Sequence, residues 1–408
     1  MPLSRPLLVA GLVLVVVALL AGGAYRLLDG EGRAALPRAS LGVSDVLGEG
    51  ADSAGYSRAE APRVFRFPRD HGPHPGFRTE WWYLTGNLRG SGGDPFGFQL
   101  TFFRSALRPE PPGGASAWRT NQVYMGHFAV TDGAGDAFHA FERFSRGAMG
   151  LAGARASPFR VWIGDWDVRG EASGESPFPM LLKAAGDDVV LDLRLWPLKP
   201  LVLQGEEGLS RKGPGEGNAS YYYSFTRLRA EGKVVLPRGA IRVEGTAWMD
   251  REWSTSALAP GQVGWDWFAL QLDDGLDLMY YQLRREDGSA SPLSAGRWVE
   301  PDGAHRALAS SDVRLRVTER WRSPLDAAVY PSGWRLEVPA EELVLRVTPL
   351  LPNQELDLTF RYWEGAVRVE GKRKGKAVGG RGYVELTGYA EAADTGPTER
   401  RFGRTGRD

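Results

Sequence analysis

The sequence predicts an all-β protein built from a duplicated unit, preceded by one apolar N-terminal segment. Three observations carry that prediction. Apolar residues alternate with period two over most of the chain, as in Phe96, Phe98, Leu100 and Phe102 against Gly97, Gln99, Thr101 and Phe103. The 53 glycines and 27 prolines suit many short strands joined by turns. Two sequence blocks recur in the same order in both halves of the chain, which is the signature of duplication.

The first element is the N-terminal segment. Arg5 precedes an uncharged run from Leu7 to Ala24, which ends in small residues and is followed by Arg26, Asp29, Glu31 and Arg33. A basic flank, an apolar stretch and small residues read as a secretory signal. The run is also about long enough to span a bilayer. Residues 1–28 therefore read as a signal peptide or a membrane anchor, in preference to a buried soluble helix, and either of the two leading readings places the body outside the cytoplasm, in the periplasm or elsewhere in the cell envelope. Residues 29–62 are rich in Gly, Ala, Ser and charge and read as a linker.

The body spans two predicted domains, 63–249 and 250–392. Asp94 to Arg104 resembles Asp274 to Arg284 in register, and each copy lies downstream of a Glu-Trp pair, Glu80-Trp81 or Glu252-Trp253. Glu231-Gly232-Lys233 leading to Val243–Trp248 is matched by Glu370-Gly371-Lys372 leading to Val384–Tyr389. Tyr221-Tyr222-Tyr223 and Tyr362-Trp363 add an aromatic cluster to each half. A β unit of this size must protect its edge strands, and closure into a barrel does so. Few stretches carry a helical stripe; Ser323 to Tyr330 is the one candidate for a short helix. The tail, 393–408, is Gly- and Arg-rich and predicted to fray.

Composition excludes several classes of function. Fifty basic residues balance fifty acidic ones, and no basic patch stands out, so nucleic acid is not an expected partner. The absence of cysteine removes disulfides, thiolate metal sites, cysteine nucleophiles and lipoprotein acylation. Neither a Gly-x-Ser-x-Gly elbow nor a phosphate-binding glycine loop is present, and nothing calls for a cofactor.

The segment Phe67-Pro68-Arg69-Asp70-His71-Gly72-Pro73-His74-Pro75, followed by Thr79-Glu80-Trp81-Trp82-Tyr83-Leu84-Thr85-Gly86-Asn87-Leu88, resembles the opening signature of the AttH-like proteins. These group with the carotenoid 1,2-hydratases, or CrtC-like proteins. Met249–Ser254, Gly264–Phe268 and Tyr362-Trp363-Glu364-Gly365 resemble further blocks of that family, in the expected order. The resemblance extends over residues 63 to 392. It implies two tandem lipocalin-like β-barrels, export, association with an ABC-type permease, and, for the hydratase branch, addition of water to a polyene.

Hydration of an unactivated alkene needs a strong acid, a stabilised carbocation and a placed water. A carboxyl kept protonated by apolar surroundings supplies the first, and aromatic faces supply the second. Asp266 lies between Trp265 and Trp267, and Asp250 and Glu252 lie between Trp248 and Trp253, so these three carboxyls are the catalytic candidates. Trp82, Tyr83, His127, Trp265, Trp267, Tyr280 and Tyr281 are the candidate ligand contacts. The competing reading is structural, because Trp and Tyr are common in β cores and Asp250-Arg251-Glu252 suits a buried ion pair. His127 likewise suits a satisfied core histidine. Asp70, His71 and His74 sit close together, but the Gly72-Pro73 turn and Pro75 favour a rigid loop over a metal site. In hydratases the family's proton donor is a carboxylate just after a strand tyrosine, whereas Tyr280-Tyr281 is followed here by Gln282. The leading expectation is thus a binder of a hydrophobic lipid, isoprenoid or polyene. The alternative is a hydratase-like lyase or cyclase acting on a polyene.

Overall fold

The computed structural model of the protein describes residues 53–390, apart from Pro112, Ala115 and Ala257. The predicted signal or anchor segment, most of the linker and the tail lie outside the described residues. Residues 53–62, the end of the predicted linker, lie against the body. Ala59 is fully buried, the Tyr56 hydroxyl donates to Ala106 O (2.7 Å), and Ser57 N donates to Gly76 O (2.8 Å).

The regular structure is strand, with three short 3-10 turns. The first half contributes β1 (Thr79–Gly90), β2 (Pro95–Ala106), β3 (Gln122–Asp132), β4 (Ala137–Arg146), β5 (Ala152–Ala156) and β6 (Phe159–Ile163). It continues with β7 (Trp166–Gly170), β8 (Met180–Gly186), β9 (Val189–Pro197), β10 (Val202–Leu203), β11 (Leu209–Arg211), β12 (Ala219–Leu236) and β13 (Gly239–Ser254). The second half contributes β14 (Gln262–Leu272), β15 (Asp277–Arg285), β16 (Ala295–Val299), β17 (His305–Ala309) and β18 (Arg314–Arg322). It ends with β19 (Val329–Val338), β20 (Leu343–Pro349), β21 (Glu355–Asp357), β22 (Arg361–Arg373) and β23 (Lys376–Leu386). The predicted helix at 323–330 is instead a turn through Ala328 followed by the first two residues of β19, because the segment has too few apolar residues on one face to bury a helix.

Each half forms one antiparallel sheet. The orders are β4-β3-β2-β1-β13-β12-β9-β8-β7-β6-β5 and β17-β16-β15-β14-β23-β22-β20-β19-β18. Aligned on β1 and β14, the two orders coincide strand for strand, and the first half has β5 and β6 in addition. β10 and β11 pair with β12 as β21 pairs with β22. The topology thus repeats, as the sequence predicted. The first sheet curls into a nearly closed barrel and the second into a half-barrel. The strand holding the predicted boundary, β13, runs on to Ser254 in the first sheet, and the second sheet starts at Gln262.

Two details of the predicted repeat are corrected by the register. Tyr223 faces Arg251 and Glu231 faces Glu244 in the first half; Trp363 faces Leu386 and Glu370 faces Gly379 in the second. Val243–Trp248 therefore corresponds to Val378–Tyr383, not to Val384–Tyr389. The Glu-Trp pairs are not counterparts either. β1 and β13 are neighbours in one sheet, with Glu80 opposite Trp253 and Trp81 opposite Glu252.

Period-two alternation places one set of side chains inside each barrel and the other outside. The first interior is filled by Trp82, Phe98, Leu100, Phe128, Trp166, Trp253 and their neighbours. The second is filled by Phe268, Tyr280, Trp298, Trp334 and Trp363. The outer faces of β1, β2, β12 and β13 are apolar as well, and they pack against the outer faces of β14, β15, β22 and β23. Small residues permit that approach: a Cβ on Gly97 would lie 2.5 Å from the Ala366 Cβ. Polar ties cross the same interface, including Asn87 Nδ2 to Gly382 O (2.9 Å) and Gln271 Nε2 to Thr226 O (2.7 Å). Arg227 and Lys199 of the first half hold the buried Asp277 of the second at 2.7 and 2.8 Å.

Candidate functional site

Between the two packed faces lies a narrow slot enclosing about 80 Å³. It is not inside either barrel. Its walls come from β1, β2, β12 and β13 of one half and β14, β15, β22 and β23 of the other. Duplication explains why: the same positions of both halves converge there. Tyr83 of β1 faces Asp250 and Thr101 on its neighbouring strands. Trp267 of β14 faces Glu385 and Tyr281 on its own neighbours. Asp250 and Glu385 are therefore equivalent positions, and both line the slot.

Of the predicted residues, Tyr83, Trp265, Trp267, Tyr281, Asp250 and Glu252 reach this slot. Three others point the opposite way, since odd and even positions of a strand face opposite sides. Trp82 lies in the first barrel, its indole N–H donating to His71 O (3.0 Å) under the Arg251 guanidinium, 3.9 Å away. Tyr280 belongs to the core of the second. Asp266 is buried beside Arg284 (2.9 Å) and Tyr389 (3.0 Å), in an ion pair at the second barrel. His127 stands one layer behind the wall, bonded through Nδ1 to the Tyr362 hydroxyl (2.8 Å). Gln282, opposite Asp266, is on the same side of β15 as Tyr280 and likewise turns away from the slot.

The Glu80 carboxylate, another member of the opening signature, holds the first barrel's end together. It accepts from Arg104 and Arg251, and from the His74 backbone N–H (3.0 Å). His74 stacks on Trp253 with ring centroids 3.8 Å apart and contacts Asp70 (3.3 Å). These acids and histidines are thus engaged by arginines, and His71 by Tyr223 (2.6 Å).

Sequence reasoning missed several slot residues. Glu364 and Glu385, on adjacent strands and directly opposite, are the most consequential. Glu364 is 1% exposed, and neither of its carboxyl oxygens has a well-formed hydrogen bond. Burial raises its pKa well above the usual carboxylate range and Glu385 adds to this. The nearby Tyr83 and Tyr362 hydroxyls offset it only in part. Glu385, half-buried and lining the slot, is raised to about 8 by burial and by Asp250 and Glu252. Asp250 is pushed up to about 7 by burial, which outweighs donors from Ser224, Tyr222 and Trp248 (the last at 2.6 Å), while Glu252 raises it further. Lys212, also missed, resists its burial: Glu252 at 3.3 Å and Tyr281, 4.2 Å below its ammonium, keep it protonated. Tyr222 donates to Asp250 and closes the first-half wall.

The arrangement brings carboxyls that favour the protonated form into contact with aromatic faces. Two facing carboxyls such as Glu364 and Glu385 resist carrying two charges at once, so at least one of them is held protonated. Among the described residues, no group of three His, Asp or Glu side chains is arranged to hold a metal.

Known proteins share this architecture. The model of the AttH-like family matches residues 58–389. A crystal structure of a Nitrosomonas europaea protein described as AttH is 36% identical, with a TM-score of 0.71, covering 82% of this chain and 99% of that one. Kievitone hydratase from Nectria haematococca is 13% identical with a TM-score of 0.63, over 82% of this chain and 96% of the hydratase. The dehydratase asqC of Emericella nidulans is 20% identical over 253 residues, which is 60% of this chain and 71% of that protein. The two tandem lipocalin-like barrels that the sequence resemblance implied are thus the observed fold. The chain, matched over nearly all of its described length, belongs to the AttH-like family.

Proposed function

We propose that the protein is a hydratase-like lyase, which adds water to, or removes it from, a hydrophobic unsaturated molecule in the slot between the barrels. The observation that carries this reading is Glu364: a buried carboxyl whose oxygens make no well-formed hydrogen bond although the Tyr83 and Tyr362 hydroxyls are near, raised in pKa and set among aromatic rings. A carrier for an apolar ligand gains nothing from burying such a group, which costs free energy unless it stays neutral. A general acid needs it.

In the hydration direction, the Glu364 carboxyl protonates one alkene carbon and the π bond breaks. The faces of Trp265, Trp267 and Tyr281 stabilise the resulting cation. A water attacks the cation and gives its proton to the Glu385 carboxylate. Transfer between the two facing glutamates restores the starting state. Dehydration of a tertiary alcohol runs the same steps in reverse. The hydratase and dehydratase among the similar proteins support this class of reaction. The apolar run from Leu7 to Ala24 supports a site of action in the cell envelope, where an ABC-type permease is a fitting partner for a lipophilic product.

The test is a panel of acyclic polyenes and the corresponding tertiary alcohols, incubated with the protein and resolved by mass spectrometry. Products differing by one water, formed by the wild type and lost in Glu364→Gln, are expected. Binding of these compounds without conversion by the wild type would return the protein to a carrier role.

A further inference from the structure

Hydration returns its proton to the slot and consumes none from solvent, yet Glu364, 1% exposed, still needs a path to water to reach its protonation equilibrium. A polar track leads out of the slot beside Glu364. Tyr362 lies two residues before Glu364 on β22, on the same face, and its hydroxyl borders the slot. Behind it, the hydroxyl meets His127 Nδ1 at 2.8 Å. On the far side of the ring, His127 Nε2 meets Glu142 Oε1 at 3.1 Å. The Glu142 side chain is 15% exposed, so the track reaches the surface in three residues.

We propose that Tyr362, His127 and Glu142 form a proton relay that connects the slot acid to solvent. The proposal rests on Glu364 being the acid of the lyase site.

The track is built, not incidental. His127 is 1% exposed and fixed by ring contacts on two sides, a stack on Tyr362 (5.6 Å between centroids) and an edge contact with Phe103 (5.4 Å). Glu142 is held by the Thr359 hydroxyl (2.6 Å) and the Thr359 N–H (3.2 Å). His127 and Glu142 belong to β3 and β4 of the first half, while Tyr362 and Thr359 belong to the second. The relay therefore exists only when the two halves are packed together. A buried histidine serving packing alone needs one partner per nitrogen, but not a tyrosine that opens on a cavity and a carboxylate that opens on solvent.

With Glu364 protonated, its proton passes to the Tyr362 oxygen as the Tyr362 O–H proton passes to His127 Nδ1. His127 Nε2–H gives its proton to the Glu142 carboxylate, which His127 and Thr359 hold in its ionised form, and Glu142 passes the proton to water. The net change is one proton moved from Glu364 to solvent, with the imidazole passing from one neutral tautomer to the other, and the same steps in reverse return it.

The relay can be measured without a substrate, on the full chain, by infrared spectroscopy after rapid mixing from H₂O into D₂O. The probe is the carbonyl stretch of the protonated Glu364 carboxyl, assigned by its loss in Glu364→Gln. In the wild type the band shifts quickly to its deuterated position. In His127→Phe, which keeps a ring against Tyr362 and Phe103, the band remains and its shift slows by about a hundredfold. Glu142→Gln, at the solvent end, slows it as well and serves if His127→Phe fails to fold. Exchange at the wild-type rate in either folded variant overturns the relay while leaving the acid in place. Absence of any protonated carboxyl band in the wild type overturns the lyase reading and the relay with it.

Discussion

Asp250 offers a quantitative handle on the slot, because the electrostatics described above predict a stability change with a defined sign and pH window. Its carboxyl is fully inside, accepts from Ser224, Tyr222 and Trp248, and titrates at about 7 instead of 3.8. A carboxyl whose folded-state pKa is raised favours folding most when it is neutral in both states, below pH 3.8. As pH rises from there to about 7, unfolding releases a proton, so stability falls. Each pH unit in that interval is worth about 1.4 kcal/mol, so the interval from 3.8 to about 7 corresponds to a loss of about 4 kcal/mol. Asp250→Asn keeps the shape and an acceptor oxygen for Trp248 and Ser224 but cannot ionise. Its stability relative to the wild type should therefore improve steadily from pH 4 to pH 7, by about 4 kcal/mol in total, and level off above. Urea unfolding of both proteins across this range measures the difference, which cancels titrations of groups that do not interact with Asp250. A difference that stays constant from pH 4 to pH 8 would refute the reasoning, since it would mean that Asp250 is ionised in the folded protein at ordinary carboxylate pH.

Two further substitutions separate the slot from its scaffold. Glu80→Gln should cost about 3–5 kcal/mol, because it strands the buried Arg104 and Arg251 charges. Arg251 and Arg104 hold the Glu80 carboxyl well below the usual range despite its burial, so its stabilisation is present above pH 4.5 and lost as pH falls; the variant should show a flatter acid limb in the same urea titrations. Burial raises the Asp266 pKa despite Arg284 and Tyr389, so Asp266→Asn should remain folded, gain stability relative to the wild type as pH rises above 3.8, and still convert substrate. Loss of conversion at full stability would instead make Asp266 a catalytic residue.

The contrast between Asp250 and Asp266 shows how far the sequence could be read. Period two, turn residues and the recurring blocks were enough for an all-β duplicated fold. The same period told that Trp81 and Tyr83 share one face and Trp82 the other, and that Trp265 and Trp267 oppose Asp266. It did not tell which face is the barrel interior. In most β proteins the polar face meets water, but here both faces are rich in aromatic residues, because the outside of each barrel is buried against the other half. That ambiguity put Trp82, Tyr280 and Asp266 among the site candidates. Glu364 and Glu385 went unmarked for a different reason. Their significance comes from facing each other across β22 and β23, and from the approach of Asp250 from a distant segment, and both depend on strand register. The only sequence signal for Glu364 was its place in the Tyr362-Trp363-Glu364-Gly365 block.

Lyase chemistry in the slot depends on whether Glu364 delivers a proton to substrate carbon. The most direct measurement is conversion of a polyene in D₂O enriched in heavy oxygen, with product isotopes located by mass spectrometry. One solvent deuterium on carbon and one solvent oxygen are expected in each hydrated product formed by the wild type, and no product with Glu364→Gln. Hydrated product formed at the wild-type rate by Glu364→Gln would contradict this role of Glu364.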